Sequence, residues 1–321
     1  MRPVLRFVAI ALLTLAGGRT FAQPAYPTKP VRFLVGSPAG GSNDIFARAI
    51  GQRLSESLGQ PVVIENRAGA SQMIAADLTA KAPPDGHVIY MTSTTYTTGA
   101  ALQPKLPFDP INDLTGITMV GKGPMVLVVH PSVPARNVKE LIAIARAKPG
   151  QLNYTSSGVG GINHLGVEVL KAAAHIDIVH VPHKGMSPAI TDLMAGQVQV
   201  LLVSLPSVES QMKSGRLRAI GISSPKRSSF MPELPAIAES VPGYDNELWW
   251  GVFTAAKTPR AVIDRLNAEI RKAMATDDMK KRFAEFGAEQ SPTTPEGLNT
   301  LVKNEIAKWS KVIKDANIKA E

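Results

Sequence analysis

Short apolar runs alternate with segments of helical periodicity along the first hundred residues of the chain. The run VRFLV (residues 31–35) predicts a strand, and IFARAIGQRLSESLG (45–59) predicts an amphipathic helix after it. The same pair follows in PVVIEN (61–66) and SQMIAADLTAKA (71–82), and HVIYMTS (87–93) predicts a third strand. Strands that alternate with helices indicate a mainly parallel sheet with helices on both faces.

The middle of the chain repeats this alternation and predicts a second α/β lobe over residues 124–244. Its strands and helices are predicted in NVKELIAIARAK, LNYTSS, HLGVEVLKAAA, IVHVPH, PAITDLMAG and VQVLLVS. The long apolar run ITMVGKGPMVLVVHPS (117–132) contains the bend residues Gly121, Gly123 and Pro124. We expect the chain to cross to the second lobe there and to return through LRAIGISS and NELWWGVFTAA.

The C-terminal part of the chain is helical in pattern. Thr258 and Pro259 form a helix start before RAVIDRLNAEIRKAM, and residues 295–316 carry a stripe of apolar side chains on one face. We expect these helices to pack on the first lobe. That lobe would then be discontinuous, with residues 23–123 and 245–321.

The first 22 residues have the features of a secretory signal peptide. Arg2 and Arg6 precede an apolar segment, Phe7 to Ala16, that is too short to span a bilayer and is followed by small residues. We expect cleavage after Ala22 and export of the remaining chain to the periplasm. A buried N-terminal helix is the alternative.

Composition excludes several classes of site and partner. The chain contains no cysteine, which rules out disulfides, thiolate metal sites and a cysteine nucleophile. The net charge of +9 becomes +6 when Arg2, Arg6 and Arg19 leave with the signal peptide, since 32 basic and 26 acidic residues remain. The basic residues are scattered among acidic ones and are not interleaved with aromatic residues, so no nucleic-acid partner is expected.

A glycine-rich loop lies between a predicted strand and a predicted helix in each lobe. GSPAGGSND (36–44) follows the first strand, and SSGVGGINH (156–164) has the same setting in the second lobe. Main-chain N–H groups at a helix N-terminus favour an anion. The first loop lacks the Gly-Lys-Ser/Thr ending of a phosphate loop and the glycine spacing of a dinucleotide fold, so a nucleotide is not expected. For one loop alone, a tight structural turn is the alternative.

Hydroxyl side chains add neutral donors near these loops. Ser93 and Thr94 end the third strand, and Ser156 and Ser157 open the second loop. Neutral donors suit a carboxylate, because each hydrogen bond to a charged partner contributes about 1.5 to 3 kcal/mol. Two such loops facing each other across a cleft could hold the same small organic acid.

The order of several motifs resembles a known family. VRFLVGSPAGGSND, SSGVGGINHL, HVPHKG and DLMAGQVQV look like the Bug family, the substrate-binding proteins of tripartite tricarboxylate transporters, over Tyr26 to Lys319. The resemblance implies a type II periplasmic-binding-protein fold, in which two α/β lobes joined by hinge strands close on an organic acid and present it to membrane subunits. It also implies that the two loops hold the carboxylate through Ala39, Gly40, Gly41, Ser42, Asp44, Ser156, Ser157, Gly158 and Gly160.

Several positions depart from the pattern of this family. Ser37 stands where relatives commonly have an aromatic residue, and Gln72 and Met73 replace the usual Gly and Asn-like residues. His183 occupies a Tyr position, and Val203 stands where relatives often have Asp. The absence of an acid at position 203 favours a ligand without an amine, either aromatic or dicarboxylic.

His183 has two interpretations. It is a partly buried structural histidine, or it donates a hydrogen bond to a distal carboxylate or hydroxyl of the ligand. In the second case, anion binding would tighten as the pH falls from 8 to 6.

Catalysis is not indicated by the sequence. It contains neither H-E-x-x-H nor G-x-S-x-G, and the S-x-x-K pattern of Ser223 and Lys226 lacks its companion motifs. We therefore expect a monomeric solute receptor without enzyme activity, metal or cofactor. A periplasmic sensor that passes its closed form to a signalling receptor is the alternative.

Overall fold

The computed structural model describes residues 26–103 and 105–319, which form two α/β lobes, each built on one β-sheet. The predicted signal peptide, residues 1–22, lies outside the described residues. Within the described part, no helix combines the length and the apolar composition that a membrane span needs.

The N-terminal third contains strands and helices in alternation. Strands β1, β2 and β3 pair in parallel, with β1 in the middle. The elements in chain order are β1 (Val31–Val35), α1 (Ser42–Leu58), β2 (Val62–Asn66), α2 (Met73–Ala80), β3 (Val88–Ser93), α3 (Thr95–Leu102) and β4 (Leu114–Gly123).

The middle third repeats the alternation. Its elements are β5 (Met125–Val129), α4 (Val138–Ala147), β6 (Asn153–Ser156), α5 (Ile162–Ala174), β7 (Val179–Pro182), α6 (Met186–Met194), β8 (Val200–Ser204), α7 (Glu209–Lys213) and β9 (Arg218–Ile222). Strand β6 pairs in parallel with β7 and β8, and β5 pairs antiparallel with β8 and β9.

The C-terminal third returns to the first sheet. Its elements are β10 (Leu248–Ala255), α8 (Arg260–Met274), α9 (Asp277–Glu285), β11 (Glu289–Gln290) and α10 (Pro295–Asp315). Strand β10 inserts between β3 and β4 and runs antiparallel to both.

The two sheets share the same topology over five strands, and β11 adds a sixth strand at the edge of the first sheet. The strand order is β2-β1-β3-β10-β4-β11 in the first and β7-β6-β8-β5-β9 in the second. In each sheet, the first strand after a crossing between lobes is antiparallel to both neighbours: β10 lies between β3 and β4, and β5 lies between β8 and β9. The prediction of a two-lobed type II fold with mainly parallel sheets is confirmed. Strands β1 and β6 are equivalent, and so are the loops that follow them.

The chain crosses between the lobes twice, and we call these two crossings the hinge. The first runs from Gly123 to Met125, and the second lies between β9 and β10. Ser223 connects them, because its Oγ accepts a hydrogen bond from Met125 N–H at 2.8 Å and donates to the carbonyl of Asn246 at 2.7 Å. The serine of the S-x-x-K pattern is therefore a structural residue of the hinge.

Helix α10 packs against both lobes. Leu298 and Val302, near its start, lie in a core cluster of the first lobe. Trp309 and Ile313, near its end, lie in the core of the second lobe. The end of α10 departs from the expected packing on the first lobe alone, because a helix of 21 residues is about 30 Å long and reaches beyond one lobe. The division of the sequence into lobes stays a prediction.

Helix α3 is not evident from the sequence pattern. Its sequence, TYTTGAAL, contains threonine and glycine, which are poor helix formers. Tyr96, Thr97 and Thr98 are buried, and the Oγ1 of Thr97 donates to the carbonyl of Thr94 at 2.8 Å. Burial in the tertiary structure, rather than intrinsic propensity, stabilises this helix.

A left-handed turn precedes α2. Ala70, Ser71 and Gln72 have φ angles of +46°, +52° and +72°, a conformation that costs a non-glycine residue about 1–2 kcal/mol. The buried side chain of Gln72 anchors the turn, since its Nε2 donates to the Oγ of Ser93 at 3.1 Å. The helix predicted from residue 71 therefore begins only after this turn.

We expect Ser71→Gly to increase the free energy of unfolding by about 1 kcal/mol, because glycine adopts left-handed angles without steric cost. Equilibrium unfolding in urea measures the change. The matched control is Ala143→Gly on the exposed face of α4, which we expect to lower the free energy of unfolding by about 1 kcal/mol. Equal losses in the two variants would contradict the argument from backbone strain.

Candidate functional site

The first glycine loop, residues 36–41, connects β1 to α1. Gly40 has a φ of +83°, in the region that favours glycine. Gly41 is extended, with φ −75° and ψ 166°, and is the N-cap of α1. The N–H of Gly40 donates to Oδ2 of Asp44 at 2.9 Å. This hydrogen bond closes the loop so that α1 begins at Ser42.

Asp44 is fully engaged by its protein neighbours. Its Oδ2 also accepts from Nε of Arg48 at 3.0 Å, and its Oδ1 accepts from Nδ2 of Asn66 at 3.0 Å. Burial acts to raise the pKa of Asp44, but the hydrogen bonds it accepts and the charge of Arg48 outweigh burial, so this pKa lies below its ordinary value. Asp44 is thus an ionised group that positions the loop.

The second glycine loop, residues 156–161, connects β6 to α5 in the same way. Gly160 has a φ of +75°, and Gly161 is an extended N-cap with φ −65° and ψ 156°. The N–H of Gly160 donates to Nδ1 of His164 at 3.0 Å. Positions 160, 161 and 164 therefore repeat the roles of positions 40, 41 and 44, at a constant separation of 120 residues.

Both loops lead into helices with unfilled N-termini. In the described part of the chain, no side chain caps the first turn of α1 or α5. The first main-chain bonds run from Ile45 N–H to the Gly41 carbonyl and from Leu165 N–H to the Gly161 carbonyl. The N–H groups before them have no acceptor within their helix, and the helix dipole favours an anion there. Each lobe therefore presents an equivalent set of main-chain donors.

Two of the predicted hydroxyl groups keep hydrogen-bonding capacity beside these donors. The Oγ of Ser37 is buried and has no hydrogen-bond partner among the described residues. Ser157 donates to Oδ1 of Asn163 at 3.1 Å, which leaves its oxygen free to accept. Ala39 is exposed and Gly158 is half-buried, so each loop has residues in contact with solvent.

Two predicted hydroxyl groups are engaged by the protein. Ser156 is fully buried, and its Oγ lies 2.7 Å from Nε2 of His180. The Oγ of Ser42 accepts a hydrogen bond from Nε1 of Trp250 at 3.0 Å. Both hydroxyl groups therefore support the loops. The group of Ser42 that belongs to the set of helix N-terminal donors is its main-chain N–H.

Thr94 is bound by strand β10. It is fully buried, its Oγ1 accepts from Trp249 N–H at 2.9 Å, and its N–H donates to the Trp249 carbonyl at 3.1 Å. Ser93 is held by the Gln72 amide. Thr94 therefore joins β3 to β10 and has no polar group left for a ligand.

Both ring nitrogens of His183 are occupied by protein groups. Nδ1 lies 2.8 Å from Oγ1 of Thr155, and Nε2 lies 2.8 Å from Oδ2 of Asp192. Because a carboxylate only accepts, Nε2 carries a proton. The main-chain N–H of His183 donates to the Ser156 carbonyl at 3.1 Å. These bonds favour the structural interpretation of His183.

Val203 is not at the cleft surface. Its side chain is 0% exposed and packs in a core cluster with Val126 and Leu201. The next residue back, Leu202, lies in the cluster on the other face of β8. Assigning Val203 to the ligand site is wrong because both faces of a central strand are covered in this fold. The argument against an amine from this position therefore no longer holds.

Asn66 and His164 are site residues that sequence analysis missed. The Nδ2 of Asn66 also donates to the carbonyl of Ser37 at 3.0 Å, so one amide ties β2 to both ends of the first loop. His164 supports the second loop. The signal that could have found His164 is the repeated pattern S-x-x-G-G-x-N, in residues 37–43 and 157–163.

A separate cavity of about 460 Å³ lies at the hinge. Lys122, Ser224 and Lys226 are among its lining residues, and none of the predicted site residues lines it. Within the described residues, no group of three histidine or carboxylate side chains is arranged to hold a metal ion.

The second loop touches the first lobe at Gly160. A Cβ at this position would lie 2.1 Å from Cδ2 of Leu102, at the end of α3. The loop of one lobe thus rests directly on a helix of the other, and only glycine leaves room for the contact.

We expect Gly160→Ala to lower the free energy of unfolding by more than Gly215→Ala. Both positions have left-handed φ angles, +75° and +72°, which cost alanine about 1–2 kcal/mol. Nothing lies within 4 Å of a Cβ at Gly215, whereas Gly160 meets Leu102. Urea unfolding compares the two variants, and adding Leu102→Ala should recover part of the difference. Equal effects of the two single changes would argue against the contact.

A comparison with known families matches most of the chain. The model of the tripartite tricarboxylate transporter family receptor matches residues 46–318. Protein BugT of Bordetella pertussis is 33% identical over 322 residues, which cover 99% of each chain. The resemblance to the Bug family is confirmed.

Solved structures agree in fold over nearly the whole described region. Rpa4515 of R. palustris, solved with adipate, is 34% identical with a TM-score of 0.81, covering 92% of this chain and 99% of that one. MatC (Rpa3494) from Rhodopseudomonas palustris, solved with bound malate, is 28% identical with a TM-score of 0.76, covering 90% and 100%. The chain therefore belongs to the receptor family of tripartite tricarboxylate transporters, whose members are periplasmic solute-binding proteins and not enzymes.

Proposed function

We propose that this protein captures a small organic dicarboxylate without an amine between its two lobes and delivers it to the membrane subunits of a tripartite tricarboxylate transporter. One observation carries the proposal. Each lobe ends a strand in a glycine loop that passes through a left-handed glycine and an extended N-cap glycine into a helix with an uncapped N-terminus. We further propose that the exported protein acts as a monomer in the periplasm.

A carboxylate fits these donors better than a neutral ligand does. Main-chain N–H groups at two helix N-termini supply partial positive charge without a basic side chain. Each hydrogen bond to a charged acceptor contributes about 1.5 to 3 kcal/mol, and a micromolar dissociation constant corresponds to about 8 kcal/mol. A few such bonds from both loops, with modest apolar contact, are enough.

The charge of the loops supports a ligand without an amine. Asp44 is the only carboxylate in residues 36–44 and 156–164. Its oxygens already accept from Gly40, Arg48 and Asn66. An ammonium group on the ligand would find no free acid on either loop. The adipate and malate in two related structures support a dicarboxylate as the first ligand class to test.

Delivery requires that the ligand favours one relative position of the lobes. A ligand shifts the equilibrium between the open and closed positions of the lobes only by its preference for one of them. To favour the closed position, it must contact both loops at once. The Ser223 hydrogen bonds and helix α10 also connect the lobes. We therefore propose that the closed form, with the acid between the loops, is the form that the transporter recognises.

We expect dicarboxylates such as adipate and malate to raise the melting temperature of the protein, because a ligand that binds only the folded state stabilises it by mass action. A thermal-shift screen would include monocarboxylates, tricarboxylates, aromatic acids and amino acids, with isothermal titration of each hit. Binding of amino acids alone would contradict the absence of an amine partner, and no binding by any acid would contradict the proposed function.

The main-chain donor at position 42 can be removed by itself. Proline is tolerated as the first residue of a helix, and the extended angles of Gly41 suit a residue before proline. Ser42→Pro deletes one N–H, and Ser42→Ala keeps it while losing the same hydroxyl. We expect the proline variant to bind the best dicarboxylate about tenfold or more weakly than the alanine variant in isothermal titration. Equal affinities would exclude the N-terminus of α1 from the site.

A further inference from the structure

Two stacked histidines lie under the second glycine loop. The rings of His164 and His180 are 3.9 Å apart between centroids and 8° from parallel. His164 accepts the N–H of Gly160, and His180 contacts the Oγ of Ser156. One ring therefore supports each end of the loop.

The first loop has a different acceptor in the equivalent position. There the N–H of Gly40 is bound by the carboxylate of Asp44, which is held ionised by Arg48. In the second loop the acceptor is an imidazole, which accepts only through an unprotonated nitrogen. His164 must therefore be neutral, with its proton on Nε2, for the loop to keep its shape.

The surroundings of the stack keep both rings neutral near pH 7. Burial is the main cause that lowers the pKa of His164 and of His180, to about 4 in each case. The charge of Lys171, on α5, acts in the same direction on both rings. Glu168, on the same helix, acts in the opposite direction on His180.

Two further groups complete these surroundings. From β6, the ring of Tyr154 stacks on His180 at 4.7 Å, and its hydroxyl donates to Glu168. A positive charge on His164, or on His183 after β7, also lowers the pKa of His180. The arrangement favours the neutral pair over a wide range of pH.

We propose that His164, supported by His180, is the positioning residue of the second carboxylate loop, and that protonation of this pair in acid opens the loop and weakens ligand binding. The proposal rests on the proposed function of the loops. A proton on Nδ1 of His164 would place an N–H against the N–H of Gly160. The loop would lose the hydrogen bond that gives Gly161 its position as N-cap.

The sign of the pH dependence follows from the direction of the pKa changes. An unfolded histidine has a pKa of about 6.5, whereas the folded value is about 4 for each ring. Between these values the unfolded chain binds more protons, so stability falls as the pH decreases from about 6.5 to 4. Loop conformation and binding should be constant from pH 8 to 6 and decline below pH 5.

Nuclear magnetic resonance of the purified protein tests the proposal without a ligand. Nitrogen-15 spectra should show the proton of His164 on Nε2 at pH 7. The amide signal of Gly160 should titrate with a midpoint near pH 4 in the wild type and in His175→Asn. His175 is an exposed histidine at the end of the same helix and serves as the matched control. His164→Asn keeps an acceptor that does not titrate, and it should remove this transition.

Titration with adipate tests the consequence for binding. At pH 7, His164→Leu should weaken binding about tenfold or more, and His164→Asn should stay within about threefold of the wild type. Adipate ionises to the same extent in both titrations, so its effect on binding drops out of the ratio of the wild-type to the His164→Asn dissociation constant. It should be constant from pH 8 to 6 and about double at pH 4, where half of the His164 rings are protonated.

The outcomes separate this inference from the proposed function. A proton on Nδ1 of His164 at pH 7 would overturn the inference whatever the protein binds. A Gly160 amide signal that does not titrate together with His164 would do the same. Full affinity in His164→Leu would also overturn it. If no carboxylate binds but the Gly160 amide titrates as expected, the proposed function fails while the positioning role of His164 remains.

Discussion

A hydrogen bond from a left-handed glycine to an acceptor four residues later shapes both candidate binding loops. Gly40 uses Asp44 in this way, and Gly160 uses His164. The bond lies inside the turn, so it directs the extended glycine that follows into the N-cap position. The first N–H groups of the helix are then left for an anion. The proposed role of each helix N-terminus in anion binding therefore depends on this bond.

The same geometry is obtained with two chemically different acceptors. Asp44 is a carboxylate whose charge is offset by Arg48 and Asn66, so the first loop places little uncompensated negative charge beside an incoming acid. His164 is neutral because it is buried beside His180 and near Lys171. The two lobes therefore support equivalent donors by different means, and only the second uses an acceptor that must be unprotonated at Nδ1.

The connections between the lobes constrain how the loops can approach each other. The two crossings are tied together by Ser223, α10 contributes to the cores of both lobes, and Gly160 rests on Leu102. The hinge hydrogen bonds and the packing of Trp309 oppose separation of the lobes. A separation of the lobes would expose the buried side chains at the end of α10 to water, whereas a rotation about the hinge need not do so.

Local pattern in the sequence determined the alternation of strands and helices, the two lobes and the two glycine loops, because these depend on residues near each other in the chain. It did not determine α3, whose threonines are helical only through burial, or the left-handed turn at Ser71. It also misassigned Val203 and Thr94 and overlooked His164 and Asn66. Whether a side chain faces a ligand, supports a loop or fills a core depends on neighbours far away in sequence, and only the tertiary structure decides which neighbours it meets.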